Sequence, residues 1–351
     1  MRRCSWDSSR LDASLARSNL DFLDEIVYIL GRFGHNERRR YLTATRSGRG
    51  RSPQVPRPLR VRLLNEVIKP YEARKSARGT MDWNDIALEA AGAPTQSYDI
   101  VVVDETQDLS ANQIRAVMAH LDADHVTTFI IDAMQRIYPQ GFFWRELQIE
   151  MRPDMVYSLS RNHRNTIQIA SLARTFVNDL PTDDDAMLPN DDSCIESGTM
   201  PKVVVGKYSA QIGFMLDCMQ GNMARNETVA VLQPRGGGWF NHIRRELRRR
   251  NIDYCELQQE REWPTGSELV ALSTFHSAKG LEFDHVLIPG LSAEVTQHGD
   301  GEDHGSLDSP RRLVAMGVGR ARKSVMLGYK AGEESSVFRY VDPMAYELVE
   351  V

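Results

Sequence analysis

Two adjacent carboxylates follow a run of apolar residues in the segment YDIVVVDETQDLS, residues 98–110. Such a run is typical of a buried parallel strand, which would place Asp104 and Glu105 at its carboxyl end. A carboxylate there can hold Mg²⁺, mostly through the water molecules that the ion retains. Its neighbour could orient and deprotonate an attacking water. Alone, the segment is equally compatible with turn and cap residues, so its chemical meaning depends on what accompanies it.

A second apolar strand followed by polar residues occurs in FIIDAMQRIY, residues 129–138. It ends at Asp132 and continues into a loop that contains Gln135. Between the two strands, Ser110 and Gln113 form a capping box, which predicts the start of a helix. Its apolar face would consist of Ile114, Val117, Met118 and Leu121. Strand, helix and strand make a βαβ unit, whose active edge should be the carboxyl end of the sheet.

A second alternating block begins near residue 200. The apolar runs predict strands at 203–205, 228–232, 269–273, 285–288 and 324–327. Helices are predicted near 209–220, 239–250 and 310–321. An acidic, turn-rich segment at 181–201 precedes this block. The fold class is therefore predicted to be α/β with parallel sheets.

The N-terminal part is predicted to be helical and rich in arginine. Residues 20–31 have apolar residues at helical spacing, with Leu23, Ile26, Val27 and Leu30 on the expected core face. From Arg32 to Arg62 there are ten arginines and one acid, Glu37. Clustered basic residues favour nucleic-acid contact, here predicted for Arg46, Arg49 and Arg51, although most charge runs are a solvated surface.

Bulk composition limits the class of protein. The 351 residues allow two domains, and the formal net charge is −5. No apolar stretch reaches the roughly 18 residues of a membrane span, and the N-terminus lacks the apolar core of a signal peptide. The four cysteines are scattered with no CxxC pair, which argues against a zinc site and a disulfide framework. We expect a cytoplasmic protein without membrane contact.

Three further segments accompany the two acidic strand ends. They are LSRNHRN (159–165), LSTFHSAKGLEFDHVLIPGL (272–291) and RRLVAMGVGRARKSVML (311–327). In this order and spacing, the five segments resemble the superfamily 1 DNA helicases of the UvrD/Rep/PcrA type, from about residue 20 to residue 330. The resemblance implies two RecA-like lobes, the first of them incomplete, and a small helical N-terminal region.

The resemblance also implies roles for individual residues. Asp104 would hold Mg²⁺ and Glu105 would activate water, while Gln135 would sense the γ-phosphate of ATP. Arg164 and Arg320 would act as arginine fingers. The nucleotide-binding residues would be Gly280 and Glu282, which holds the ribose, and His163, in the place of a base contact. Contacts with DNA are implied for Thr274 and His276, and aromatic stacking for Tyr138 and Phe142.

Four departures from the family pattern stand out. A phosphate-binding loop requires Gly-x-x-x-x-Gly-Lys-Ser/Thr, and the only Gly-Lys here, Gly206-Lys207, is followed by Tyr208 and lies after the acidic strands. The chain is therefore expected to begin after the Walker A segment. His163 replaces a tyrosine, and Gly319 replaces a threonine. The short spacing between Arg164 and KGLEF excludes the large accessory insertion.

The predicted organisation is a helical region at 1–97, the remainder of a first lobe at 98–155, and a second lobe at 156–351. The predicted function is the motor portion of an ATP-dependent DNA helicase or translocase, inactive alone without a phosphate-binding loop. Its partners would be single-stranded or partly duplex DNA and a separate chain or upstream segment carrying the Walker A lobe. The alternative is a catalytically dead helicase relative that binds nucleic acid or a protein.

Overall fold

The computed structural model describes residues 19–46, 55–131, 142, 144–157, 162–180, 194, 196–234, 237–257, 263, 268–293 and 307–351. The chain divides into two compact units. The first comprises Met1–Tyr157 with Gly299–Gly305, and the second comprises Ser158–His298 with Ser306–Val351. The finer division of the first unit at residue 97 stays a prediction. Within the described ranges no helix is both long enough and apolar enough to cross a membrane.

The first unit is mainly helical. Its α-helices are α1 (Asn19–Arg32), α2 (Arg57–Arg62), α3 (Lys69–Arg78), α4 (Trp83–Gly92) and α5 (Ala111–Ala119). A π-helical stretch, Leu63–Ile68, joins α2 to α3, and a 3₁₀ helix spans His35–Leu42. The predicted helix at 20–31 is confirmed, but its predicted core face is wrong at Leu23, which is 46% exposed. Leu30 is buried as predicted, and Tyr28 and Ile29, which were not on the predicted face, are buried with it in a cluster that includes the π-helical stretch.

A parallel pair of strands, β1 (Tyr98–Val103) and β2 (Leu121–Phe129), follows the helices. The capping box at Ser110 is confirmed, since its side chain accepts from the backbone of Gln113 and the Gln113 side chain accepts from the backbone of Ser110. The expected helical position of Leu121 is wrong, because α5 ends at Ala119 and β2 begins two residues later. One face of this pair leaves Ile100 and Val102 exposed.

The second unit contains a seven-stranded sheet in which every pair of neighbours is parallel. Its strands are β3 (Lys202–Val205), β4 (Val229–Gln233), β5 (Tyr254–Glu256), β6 (Val270–Thr274), β7 (Phe283–Ile288), β8 (Ala321–Tyr329) and β9 (Glu347–Glu350). Their order is β5-β6-β4-β7-β8-β3-β9. The α-helices are α6 (Ile167–Thr175), α7 (Tyr208–Met223), α8 (Phe240–Arg249) and α9 (Asp308–Val318). The predicted α/β class with parallel sheets is confirmed.

The centre of this sheet is buried on both faces. All five residues of β4 are buried, as are the first four of β6. The apolar cluster around them includes Ile212 and Met215 of α7 and Ile243 of α8. Continuous apolar runs in the sequence therefore mark these strands, as expected when helices cover both faces.

A polar cluster joins the amino ends of β4, β7 and β8. His285, buried on β7, places Nδ1 2.7 Å from the Ser324 hydroxyl and Nε2 2.8 Å from Glu227 Oε2. Lys323 lies 2.9 Å from Glu227 Oε1 and 3.0 Å from Asp284. Hydrogen bonding from His285, and then from Lys323, lowers the pKa of Glu227 from 4.5 to about 2. The ionised carboxylate is therefore the form that stabilises this end of the sheet.

The lowered pKa of Glu227 determines how the stability of the protein changes with pH. A depressed pKa means that Glu227 contributes stability above its unfolded value near 4.5, and that the contribution is lost as the pH falls toward about 2. We expect Glu227→Gln to lower the melting temperature at pH 7, and the difference from wild type to shrink between pH 4.5 and 2. Thermal unfolding across this range measures it.

A matched control is Glu66→Gln, because Glu66 forms an exposed pair with Arg62 on the helix surface. It should change the melting temperature little at any of these pH values. A Glu227→Gln difference that stays constant from pH 5 to pH 2 would contradict the assigned role of the carboxylate.

Candidate functional site

Asp104 and Glu105 form the turn that follows β1 in the first unit. Asp104 is exposed, and its Oδ1 accepts a hydrogen bond from the Glu105 backbone N–H at 2.8 Å. Glu105 has φ 52°, in the left-handed region that residues other than glycine seldom adopt. The Gln107 side chain donates to Glu105, and the Thr106 backbone donates to Ile130 beyond β2. Local strain held by surrounding hydrogen bonds is a feature of functional turns.

Aromatic side chains cluster near the same strand pair. The rings of Phe142 and Trp144 lie 5.3 Å apart edge to face, and Trp144 lies 4.8 Å from Phe129 of β2. Phe142 is half-buried in this cluster. The predicted phosphate sensor Gln135 and the predicted stacking residue Tyr138 lie outside the described residues.

Arg46, one of the three arginines predicted to contact DNA, is paired with a carboxylate in the structure. Arg46 makes two contacts with Glu25, Nε to Oε1 at 3.0 Å and Nη2 to Oε2 at 2.6 Å. Glu25 is fully buried and also accepts from the Tyr41 hydroxyl, and burial of Tyr41 raises the pKa of that hydroxyl. A DNA contact by Arg46 would leave a buried carboxylate without its cation. Arg49 and Arg51 lie outside the described residues.

Two asparagines, Asn162 and Asn165, hold the turn that carries Arg164, one of the two predicted arginine fingers. The Asn162 side chain accepts from the backbone N–H of Arg164 and of Asn165, which fixes the turn before α6. Asn165 Nδ2 then donates to the carbonyls of Gly319 and Ala321, at 2.9 Å and 2.6 Å. This turn is thereby attached to the junction of α9 and β8, 154 residues later in the chain. The predicted residues Arg164 and Arg320 belong to these two joined segments.

Arg164 and Glu282 form an ion pair. Arg164 Nε lies 2.5 Å from Glu282 Oε1, with both side chains about one-third exposed. Arg322, at the start of β8, lies on the other side of the carboxylate, with Nε 3.9 Å from Oε2. Gly280, two residues earlier, has φ 78°, a conformation that suits glycine in the turn before β7. His163 is exposed beside Arg164.

Arg320 is almost fully buried, at 1% exposure. Its guanidinium lies against the Met316 sulfur (3.3 Å) and the Leu281 carbonyl (3.5 Å). The backbone N–H of Phe283 donates to the Arg320 carbonyl, which continues the β7–β8 ladder. The predicted finger role of Arg320 stays a prediction, and in this conformation the side chain supports the site from within.

The turn after β6 holds the remaining predicted residues. The Thr274 hydroxyl lies 3.1 Å from the Ser277 hydroxyl and accepts from the Ser277 backbone. His276 is half-buried, and burial, with a smaller effect of Lys279, lowers its pKa. A lowered pKa keeps the imidazole neutral at pH 7, when it can both donate and accept a hydrogen bond.

Sequence inspection missed three residues of this site: Asn162, Asn165 and Arg322. The two asparagines that flank His163 and Arg164 in RNHRN are a signal for a side-chain-stabilised turn, because an Asn side chain bonds its own nearby backbone. The hydrogen bonds from Asn165 to the carbonyls of Gly319 and Ala321 have no sequence signal, because they join segments that are distant in the chain.

Comparisons with known proteins agree with the motifs. Residues 256–332 match the UvrD-like helicase C-terminal domain. A 76-residue stretch is 34% identical to the ATP-dependent DNA helicase PcrA of Bacillus subtilis and covers 21% of this chain and 10% of that protein. A 56-residue stretch is 38% identical to the ATP-dependent DNA helicase Rep of Escherichia coli K12, covering 16% and 8%. The chain spans about a tenth of the length of the curated relatives it matches.

A solved structure is also similar in part. It is the C-terminal domain of a possible DNA helicase from Lactobacillus plantarum WCFS1, which is 22% identical, with a TM-score of 0.40. The alignment covers 53% of this chain and 98% of that one. The resemblance to UvrD-like helicases predicted from the motifs is confirmed by the family match and the two relatives.

The buried pair of Glu25 and Arg46 gives a stability prediction. Arg46→Ala should lower the free energy of unfolding by about 3–5 kcal/mol, because it leaves a buried carboxylate without its partner. Urea denaturation measures this. The double variant Glu25→Gln/Arg46→Ala should recover part of the loss, since no buried charge remains. If Arg46→Ala unfolds at the wild-type urea concentration, the stabilising role assigned to the pair is wrong.

Proposed function

We propose that this chain, which carries a UvrD-like C-terminal segment, is the motor portion of an ATP-dependent DNA helicase or translocase. It would couple ATP hydrolysis to movement along single-stranded DNA. The observation that carries the proposal is the attachment of the Arg164 turn to the α9–β8 junction by Asn165. That attachment holds Arg164 beside the carboxylate of Glu282, a residue within the matched range 256–332.

Phosphoryl transfer needs positive charge near the phosphate oxygens and an aligned water, with little covalent chemistry from the protein. In the proposed roles, Arg164 supplies positive charge and Glu282 accepts a hydrogen bond from a ribose hydroxyl. Glu105 orients and deprotonates the attacking water. An arginine finger contributes roughly 10³–10⁵ in rate, equivalent to about 4–7 kcal/mol.

The turn after β1 fits Mg²⁺. Asp104 presents an exposed carboxylate at the carboxyl end of a parallel strand, and Mg²⁺ is bound in proteins by one or two carboxylates while it keeps several waters. When bound with ATP, the ion would neutralise charge on the phosphate oxygens. Asp104 would hold it, and the hydrogen bond from the Glu105 N–H to Asp104 Oδ1 would fix the direction of that carboxylate.

The partners proposed are single-stranded or partly duplex DNA and a separate chain or upstream segment that carries a phosphate-binding loop. The exposed apolar face of β1 and β2 supports the second partner, since parallel strands are normally covered on both faces. Contacts with DNA are proposed for Arg49 and Arg51, and for the segment of Thr274 and His276. Tyr138 and Phe142 remain candidates for base stacking.

The 351-residue polypeptide by itself should hydrolyse ATP at a negligible rate. The reason is that its sequence contains no Gly-x-x-x-x-Gly-Lys-Ser/Thr loop to hold the phosphates. A phosphate-release assay with and without single-stranded DNA measures this, with Glu105→Gln as the control for contaminating activity. Hydrolysis that DNA stimulates and Glu105→Gln abolishes would refute the prediction.

The basic segment should give DNA binding a strong salt dependence, because each neutralised phosphate releases counterions. Replacing Arg49 and Arg51 with alanine should flatten the slope of log K against log salt concentration by about 1.4 for single-stranded DNA, or roughly 0.7 per contact. Arg249→Ala is the matched control, since Arg249 is exposed on α8 and paired with Glu246. Equal slopes for wild type and the double variant would mean that these arginines are ordinary surface.

A further inference from the structure

Helix α8 carries a high concentration of arginine. With the residue that follows it, its sequence is FNHIRRELRRR (240–250), which contains five arginines and one acid, Glu246. Phe240, Ile243 and Leu247 are buried in the core of the second unit, so one face of the helix is anchored there. The arginines lie outside this buried face, and the helix is therefore a fixed support for positive charge.

Three of the five arginines are neutralised by acids. The pairs are Arg244 with Glu256 of β5, Arg249 with Glu246, and Arg250 with Asp217 of α7, at 2.7, 2.5 and 2.5 Å. Hydrogen bonding from Arg249, and then from Arg250, lowers the pKa of Glu246 from 4.5 to about 2. Its carboxylate is therefore charged at pH 7 and cancels the charge of one arginine.

Arg245 and Arg248 are the two arginines that remain. Both are exposed, and neither side chain forms an ion pair or a hydrogen bond within the part of the chain that the structure describes. Five cations against three carboxylates leave a net charge of +2, located on these two side chains. Residues three apart share one face of a helix, with Cβ atoms about 5–6 Å apart. The excess charge of α8 is thus a pair of adjacent guanidinium groups that face water.

We propose that Arg245 and Arg248 bind the phosphate backbone of duplex DNA. A guanidinium group matches the oxygens of a phosphate in a bidentate geometry, and two adjacent groups can contact neighbouring phosphates of one strand. This inference rests on the proposed function, because it takes DNA as the partner. It adds a duplex contact to the single strand along which the protein would move.

The aromatic content of α8 favours a duplex over a single strand. Single-strand sites combine a basic groove with aromatic side chains on which bases stack. The structure describes every residue of α8, and of its two aromatic rings Phe240 is buried and His242 is half-buried beside Tyr208. An exposed surface of guanidinium groups can bind backbone phosphates, but it offers unpaired bases no ring for stacking.

This surface is separate from the segment of Thr274 and His276, which was proposed to contact DNA. Helix α8 leads from the carboxyl end of β4 to the amino end of β5, and both strands run parallel to β6. The end of the helix that carries Arg248 therefore lies toward the amino ends of the strands. Thr274 and His276 lie at the carboxyl end of β6. Variants of the two surfaces can thus be measured independently.

Binding of the full chain to a labelled blunt duplex, followed by fluorescence anisotropy over a range of salt concentrations, tests the proposal. Replacing Arg245 and Arg248 with alanine should flatten the slope of log K against log salt concentration by about 1.8, or roughly 0.9 per phosphate contact. The slope for a single strand of the same length should keep its wild-type value. The variant Arg245→Lys/Arg248→Lys should keep the duplex slope, because both charges remain.

Arg249→Ala is the matched control on the same helix. Arg249 is paired with Glu246, and Arg250 still contacts that carboxylate when Arg249 is removed, so the duplex slope should not change. The Arg245→Ala/Arg248→Ala variant should melt at the wild-type temperature, because exposed side chains without partners contribute little to stability.

The outcomes separate this inference from the proposed function. A wild-type duplex slope in the Arg245→Ala/Arg248→Ala variant would overturn the inference, and so would an equal loss of slope with the single strand or in Arg249→Ala. Binding of the single strand without any binding of the duplex would overturn the inference alone. Duplex binding that depends on Arg245 and Arg248, without any binding of the single strand, would instead contradict the proposed function. If neither DNA binds, both fail.

Discussion

Two hydrogen bonds from Asn165 Nδ2, to the carbonyls of Gly319 and Ala321, determine the shape of the second unit's candidate site. They attach the turn before α6 to the start of β8, although 154 residues separate the first pair. Together with the packing of α6 against α9 and β8, they hold Arg164 near the start of β7, next to Glu282. A neutral amide suits this task because it can donate twice without adding charge beside Arg164.

Charged side chains serve two different purposes in this molecule, and burial separates them. Glu25 with Arg46 is enclosed, so the pair is a structural unit whose disruption would leave a charge in the interior. Arg164 with Glu282 is one-third exposed, so it can open at a modest cost. Arg320 is buried, as Glu25 is, although its sequence motif predicts the same finger role as that of Arg164. A sequence motif can assign an arginine to a site, but it does not indicate whether the arginine is enclosed in the interior or partly exposed to water.

Much of the architecture can be predicted from sequence because the relevant signals are local. Continuous apolar runs identified β4, β6 and β7, since strands covered on both faces need no polar alternation. The short edge strands β5 and β9 carry no such run and were not predicted. The partners of Arg46, Arg164 and Asn165 could not be predicted, because each contact joins distant segments that only the fold brings together. The core face of α1 was misplaced because apolar spacing does not reveal what packs against the helix.

The proposed role of Arg164 in phosphoryl transfer is tested most directly by restoring the phosphate-binding loop. The full chain would be combined with a polypeptide that supplies this loop, and DNA-stimulated ATP hydrolysis measured for wild type and Arg164→Ala. Loss of an arginine finger should lower the rate by about 10³-fold or more while assembly is retained. Lys323→Ala, which leaves Glu282 and Arg164 intact, should retain the wild-type rate. Equal hydrolysis by the Arg164→Ala assembly would contradict the proposed catalytic site.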